Sequence, residues 1–237
     1  MKIFNDVELI DLAIYANKTL IFTDFHIGYE ESLNKQGLMV PRFQFKEIME
    51  RLEKIFTKLK GKKIERIIVN GDLKHEFGTI SDQEWRHTLK LLDYFEKHCN
   101  EIILIKGNHD TILGPIAKKR NVKVLEHFKL KDILIIHGDS ILDKKLLKDV
   151  KTIIIGHEHP AVSVKEGPRV ELFKAYLVGK WKKYNLVAQP SFNLVTEGTD
   201  IIKEAGLGPF LKNNLKNFNA IIVGDKLYGF GKLGDLI

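Results

Sequence analysis

Five short apolar runs in this 237-residue chain end on side chains that bind metal ions. Leu20-Ile-Phe-Thr runs into Asp24-Phe-His26, and Ile67-Ile-Val-Asn-Gly runs into Asp72. Ile102-Ile-Leu-Ile-Lys-Gly leads to Asn108-His109-Asp110, Ile133-Leu-Ile-Ile to His137, and Ile153-Ile-Ile-Gly to His157-Glu158-His159. The donors are carboxylates, imidazoles and one neutral amide. That mixture suits Mn²⁺ first, with Fe, Zn²⁺, Co²⁺ or Ni²⁺ as alternatives. Seven donors (Asp24, His26, Asp72, Asn108, His137, His157 and His159) are enough for two divalent ions if one carboxylate is shared. Two aspartates do not cancel the charge of two such ions, so the centre stays positive. A positive centre attracts a phosphate anion, stabilises charge that develops on it, and acidifies bound water.

These residues have to be brought together by the elements that carry them. Strands are expected at Thr19–Thr23, Ile64–Val69, Ile102–Ile105, Ile133–Ile136 and Thr152–Ile155, alternating with helices in the first half. Pro41 is placed to open a helix, and Phe45, Ile48, Met49, Leu52, Ile55, Phe56 and Leu59 then share one helical face. Ser81 with Glu84 forms a capping box for a helix through about Lys97. After Pro160 the chain reads as mostly β. One short helix is expected near Pro209–Lys216, after a turn at Gly206-Leu-Gly208, and a hairpin over Ala220–Phe230 turns at Gly224-Asp225. Open α/β sheets bind ligands beyond the carboxyl ends of their strands, so five such ends predict one shared site.

Composition narrows the classes. With 44% hydrophobic and 29% charged residues the chain reads as a soluble globular protein. No apolar run reaches the roughly 18 residues that span a bilayer, and the N-terminus does not read as a signal peptide. No membrane partner is expected. Cys99 is the only cysteine, which excludes an internal disulfide and a thiolate metal site and fits a reducing cytoplasm. The net charge of +7 favours a polyanionic partner such as nucleic acid. His87, His98 and His127 read as structural, and Cys99 as a partly buried, inert thiol. Lys74 and Arg42 read as solvated side chains, with phosphate contact as the weaker reading.

Asp24-Phe-His26, Gly71-Asp72, Gly107-Asn108-His109-Asp110, His137 and Gly156-His157-Glu-His159 resemble, in order and spacing, the five signature blocks of calcineurin-like metallophosphoesterases. The resemblance implies an α/β fold, a four-layer α-β-β-α sandwich of two mixed sheets flanked by helices. It implies a single domain over 1–237, with 160–237 finishing the second sheet. Asp24, His26 and His159 would hold one ion, Asn108, His137 and His157 the other, and Asp72 would bridge. His109 would be the catalytic histidine, with Asp110 orienting it. Gly71-Asp-Leu-Lys-His75 resembles the SbcD/Mre11-related nuclease branch, which makes His75 a substrate-side candidate. The stretch from Asp24 to Pro41 is similar to small archaeal members and to the phosphoesterase encoded beside a bacterial DNA ligase. The remaining C-terminal residues leave no room for a large capping domain. The expected activity is therefore phosphodiester hydrolysis by metal-bound hydroxide, with single-stranded nucleic acid as substrate. A small nucleotide or cyclic phosphodiester is the alternative substrate, and a non-catalytic metal-binding scaffold the remote one. Related nucleases dimerise through helices early in the chain, and a homodimer is left open here.

Overall fold

The structure, a computed structural model, describes residues 1–235 apart from 5, 78, 79, 111, 112, 121, 142 and 213. The chain forms two compact units. One is Met1–Glu126 with Phe192–Thr196, the other His127–Ser191 with Glu197–Ile237.

In chain order the first unit contains β1 (Lys2–Phe4), β2 (Val7–Ile10), β3 (Ala13–Ala16), β4 (Thr19–Thr23), α1 (Tyr29–Lys35), α2 (Gln44–Lys58), β5 (Arg66–Asn70), α3 (Asp82–Glu96), β6 (Glu101–Ile105), α4 (Gly114–Lys119) and β7 (Lys123–Leu125). Its strands form one sheet in the order of the chain. β1 to β4 are an antiparallel meander, and β4 to β7 run parallel. Parallel neighbours need long crossovers, which the helices supply. The sequence showed no sign of the meander before β4. Its turns use Asp11 (φ 58°), Asn17 (φ 45°) and Lys18 (φ 59°) in place of glycine, so the usual hairpin signal is missing.

The second unit contains β8 (His127–Leu130), β9 (Ile133–Ile136), β10 (Thr152–Ile155), β11 (Pro160–Glu166), β12 (Arg169–Trp181), β13 (Tyr184–Ala188), β14 (Thr199–Asp200), β15 (Asn219–Val223) and β16 (Leu227–Lys232). The sheet order is β14-β11-β12-β13-β10-β9-β8, with β15 beside β12 and β16 beside β15. β10 is parallel to both β9 and β13, whereas β11, β12 and β15 pair antiparallel. The fold is thus α/β with two mixed sheets, as expected. Among the described residues all four α-helices belong to the first unit. The described connections of the second are loops and 3₁₀ turns at Lys144–Leu147 and Leu233–Asp235. Among the described residues no helix is long and apolar enough to cross a membrane.

Local signals account for most boundaries. The face of α2 read from the sequence is buried or half-buried throughout. Pro41 does not open that helix. It lies three residues ahead, because the backbone N–H of Gln44 donates to the Glu30 carboxylate (2.9 Å) and sets the start there. The capping box at Ser81 and Glu84 is present in full. Between β4 and α3 sits an aromatic cluster: Phe95 stacks on Phe22 at 5.4 Å, and Phe25 and Phe192 complete it. Each such pair adds about 0.5–1.5 kcal/mol beyond the area it buries. His87 stacks on Phe45 and His98 on Phe56, so both are packing residues that bind α3 to α2. The helix expected near Pro209–Lys216 is not there. Its described residues form turns, and Phe210 and Leu211 are drawn into the core of the second unit with Leu177 and Phe218.

Ser81→Ala removes the cap from α3 and should lower stability by about 1 kcal/mol. Urea unfolding followed by far-UV circular dichroism measures it.

Candidate metal centre

Beyond β4 and β5 the chain leaves the sheet, but its backbone pairing continues. The N–H of Asp24 donates to Gly71 O (3.2 Å), that of His26 to Asp72 O (2.9 Å) and that of Ile27 to Leu73 O (3.0 Å). This ladder holds the first two ligand-bearing segments side by side. Gly71 N–H then reaches Ile105 O (2.9 Å), which brings in the loop after β6. Inside this loop cluster Asp24, His26 and Asp72 are buried. Their ligand atoms lie within 4.8 Å of one another, and His26 Nε2 is 3.6 Å from Asp72 Oδ2.

The backbone at these residues is unusual. Asp24 (φ 51°), His26 (φ 45°) and Asp72 (φ 43°) are left-handed, as are His157 (φ 61°) and His159 (φ 43°) in the second unit. Such conformations are uncommon for residues with a Cβ, and Asp and His are among the types that tolerate them best. Strain of this kind persists where the surroundings over-determine it, which is typical of functional sites. Here the surroundings are buried hydrogen bonds. Gln44 receives the N–H of Gly28 (3.2 Å) and donates to His26 O (2.9 Å) and to Asn193 Oδ1 (3.2 Å).

Asp110 is buried and accepts backbone N–H bonds from Leu73 (3.1 Å) and Gly107 (3.2 Å), with Lys74 at 3.5 Å. Burial, with the Asp72 carboxylate next to it, pushes its carboxyl up to about 7. The sequence expectation that Asp110 orients the His109 ring is not met. His109 Nδ1 donates instead to the carbonyl of His75 (2.5 Å), and Asp110 anchors the loops on either side. A carbonyl only accepts, so Nδ1 carries the proton and the neutral ring keeps its lone pair on Nε2. The backbone N–H of His109 donates to Asp72 Oδ1 (2.9 Å), which fixes the carboxylate from the far side.

His75 lies inside the same cluster. Its Nδ1 is 3.3 Å from His26 Nδ1, and its ring stacks on His109 with centroids 5.1 Å apart. The ligand nitrogens of His26, His75 and His109 all fall within 4.8 Å, so this trio can also share a cation. Burial takes the His75 imidazole down to about 4, with His109 acting in the same direction, and burial also lowers His109. Lys74 is not the solvated side chain that the sequence suggested. It is buried, and its ammonium donates to the carbonyls of Glu76 and of His109 (2.8 Å). Arg42 meets Gln83 (3.4 Å) at the surface.

Two positioning carboxylates escaped the sequence reading. Glu84, fully buried, accepts the N–H groups of His75 (3.1 Å), Glu76 (2.9 Å) and Ser81 (3.0 Å). The capping residue of α3 therefore also holds the loop that presents His75. In the second unit His137 is buried with Nε2 3.1 Å from His157 Nδ1. Glu158 lies between the two histidines of that segment and is fully buried. It accepts from the N–H groups of Leu207 (2.8 Å) and Gly208 (3.1 Å). The Gly206–Gly208 turn is thus a strap held by the ligand segment. The available sequence signal was an acidic residue between two histidines with a distant Gly-x-Gly, which is too weak to act on.

Buried carboxylates and imidazoles at the ends of parallel strands, in two mixed sheets, define a metal-dependent hydrolase. The chain belongs to the calcineurin-like phosphoesterases: the family model of that description matches residues 18–189. It is accordingly a metal-dependent phosphoester hydrolase of a family that uses divalent ions. The crystal structure of nuclease MPE from Pseudomonas putida shares its fold, with a TM-score of 0.65 and 20% identity over 94% of this chain and 93% of that one. YfcE, a phosphoesterase from E. coli, is similar over 90% of this chain and 97% of that one, at 12% identity and a TM-score of 0.43. No curated protein matches.

Gly107 is where the loop after β6 approaches Asp72 most closely. A Cβ there would sit 2.1 Å from Asp72 Oδ1 and 2.4 Å from its backbone N. Gly107→Ala should therefore cost about 1–3 kcal/mol through overpacking. Gly114→Ala, with no atom within 4 Å of the new Cβ at the start of α4, should be neutral or stabilising. Urea midpoints of the two variants check the contrast, and equal midpoints would refute the close approach.

Proposed function

We propose that this protein hydrolyses phosphodiesters in single-stranded nucleic acid at a dinuclear metal centre. Asp24, His26, Asp72, Asn108, His137, His157 and His159 would hold the two divalent ions. The observation that carries the reading is the set of left-handed aspartates and histidines, buried or half-buried, that follow β4, β5 and β10. The family match supports it, because residues 18–189 include every one of these donors. The donor set fits Mn²⁺ or a similar ion, since hard carboxylates and imidazoles are present and thiolates are not. When bound, two such ions make water nucleophilic near neutral pH and neutralise phosphate charge.

The protein's own contribution is positioning and proton transfer. His109 is held through Nδ1 by the His75 carbonyl, which leaves Nε2 as its acid–base atom. An arriving phosphate anion favours the doubly protonated ring, whose Nε2 then gives its proton to the leaving oxygen. Water adds to phosphorus as the ester P–O bond breaks. The products are a phosphomonoester and an alcohol, so atoms and protons balance. The net charge of +7 supports a polyanionic substrate, and the fold shared with the nuclease named above is consistent with one. Phosphate contacts carry no base information, so sequence preference should be weak.

Elemental analysis should find two Mn²⁺ per chain in protein loaded with manganese, and fewer in Asn108→Ala or His157→Ala. His109→Ala should keep its metal and lose about 100-fold or more in turnover. The substrate is decided with a single-stranded DNA circle, a blunt duplex and cyclic nucleotides, at low and moderate salt. Nicking of the circle, weakened by salt through counterion release, is the expected result. An intact circle alongside rapid turnover of a cyclic nucleotide would overturn the nucleic-acid reading in favour of a small phosphodiester.

A further inference from the structure

The imidazole of His109 is one layer in a column of rings. Tyr29 meets the edge of His75 at 4.5 Å and 80°, and His75 stacks on His109 at 5.1 Å and 27°. Phe77 lies over His109, with centroids 3.9 Å apart and an interplanar angle of 32°. The inner members of the column are at least half-buried, but Phe77 is 58% exposed. Scattered apolar side chains on a surface need no explanation, and Met39 and Phe43 on the loop before α2 are of that kind. Phe77 differs in position. One of its faces covers the residue proposed to protonate the leaving oxygen, and among the described residues the column ends there.

From this geometry we infer that Phe77 is a stacking platform for the nucleobase that flanks the scissile phosphate, and so a positioning residue for a nucleic-acid substrate. The inference rests on the nuclease reading above and gives it a specific contact. A strand whose phosphate sits at His109 carries its neighbouring base within one nucleotide of that phosphate, beside the outer face of Phe77. Every base has a π-face, so such a platform accepts any sequence, and a phenyl ring has no hydrogen-bonding group with which to tell bases apart. The contact would hold a flexible strand at the site without reading it. A paired base in a duplex is already stacked on both sides and has no face to offer, so the platform also selects unpaired strands.

The test is a double-mutant cycle between Phe77 and the base. Wild type, Phe77→Ala, Phe77→Leu and Phe77→Trp are each measured against a single-stranded oligonucleotide with one cleavable phosphodiester. A matched strand lacks the base beside that bond. Binding is measured by fluorescence anisotropy on metal-free protein, so that it does not depend on turnover. Phe77→Ala should bind the intact strand about 5- to 100-fold more weakly, and the abasic strand as well as wild type does. Phe77→Leu still covers His109 but has no ring, and it should lose most of the same factor. Phe77→Trp should keep the affinity, with indole fluorescence quenched by the intact strand and not by the abasic one. Equal losses on both strands would mean that Phe77 only shields His109, and wild-type binding by Phe77→Ala would mean that it does nothing for the substrate. Either result overturns this inference and leaves the nuclease reading intact. If wild-type protein neither binds nor cleaves the intact strand, the nuclease reading fails and the platform fails with it.

Discussion

Backbone amides that leave a sheet and stay buried must still find acceptors, and in the loops after β5 and β6 carboxylates supply several of them. Asp110 takes the N–H groups of Leu73 and Gly107, Asp72 takes that of His109, and Glu84 takes those of His75, Glu76 and Ser81. Each of these acceptors is charged when ionised, so the bonds are stronger than neutral ones and costly to leave unmade. The loops after β5 and β6 are thereby tied to each other and to α3. Every candidate functional side chain in the unit hangs from one of these loops or from the adjoining segment after β4.

Because the loops are held this way, the chain can keep Asp24, His26 and Asp72 in left-handed backbone. Each such residue costs of order 1 kcal/mol or more. The protein's own hydrogen bonds therefore position these candidate ligands. Two features follow from the crowding. The imidazoles of His75 and His109 are shifted toward the neutral form by burial, and the ring of His109 is oriented by a backbone carbonyl. The second unit uses the same device on a smaller scale, with Glu158 accepting the amides of the Gly206–Gly208 strap next to His157 and His159.

The amino-acid sequence determined the parts of this protein that depend on neighbours along the chain. Apolar runs of four or five residues identified β4, β9 and β10 to the residue, and the Ser81–Glu84 pair marked the start of α3, because strand pattern and capping are local. The order and spacing of the Asp, Asn and His blocks were enough for the family and the metal-binding chemistry. Composition alone ruled out thiolate ligands and an internal disulfide. The tertiary structure decided what depends on partners distant in sequence. Asp110 turned from orienting the His109 ring to accepting amides 36 and 37 residues earlier. Lys74, which read as a solvated cation, became a buried donor to carbonyls. Glu84 gained a second duty, Phe77 came to rest on His109 from 32 positions away, and the stretch after Gly208 gave up a short helix to fill a core. In each case burial removed water as the alternative partner, and which groups were then left to satisfy one another is a property of the folded arrangement that no stretch of sequence carries.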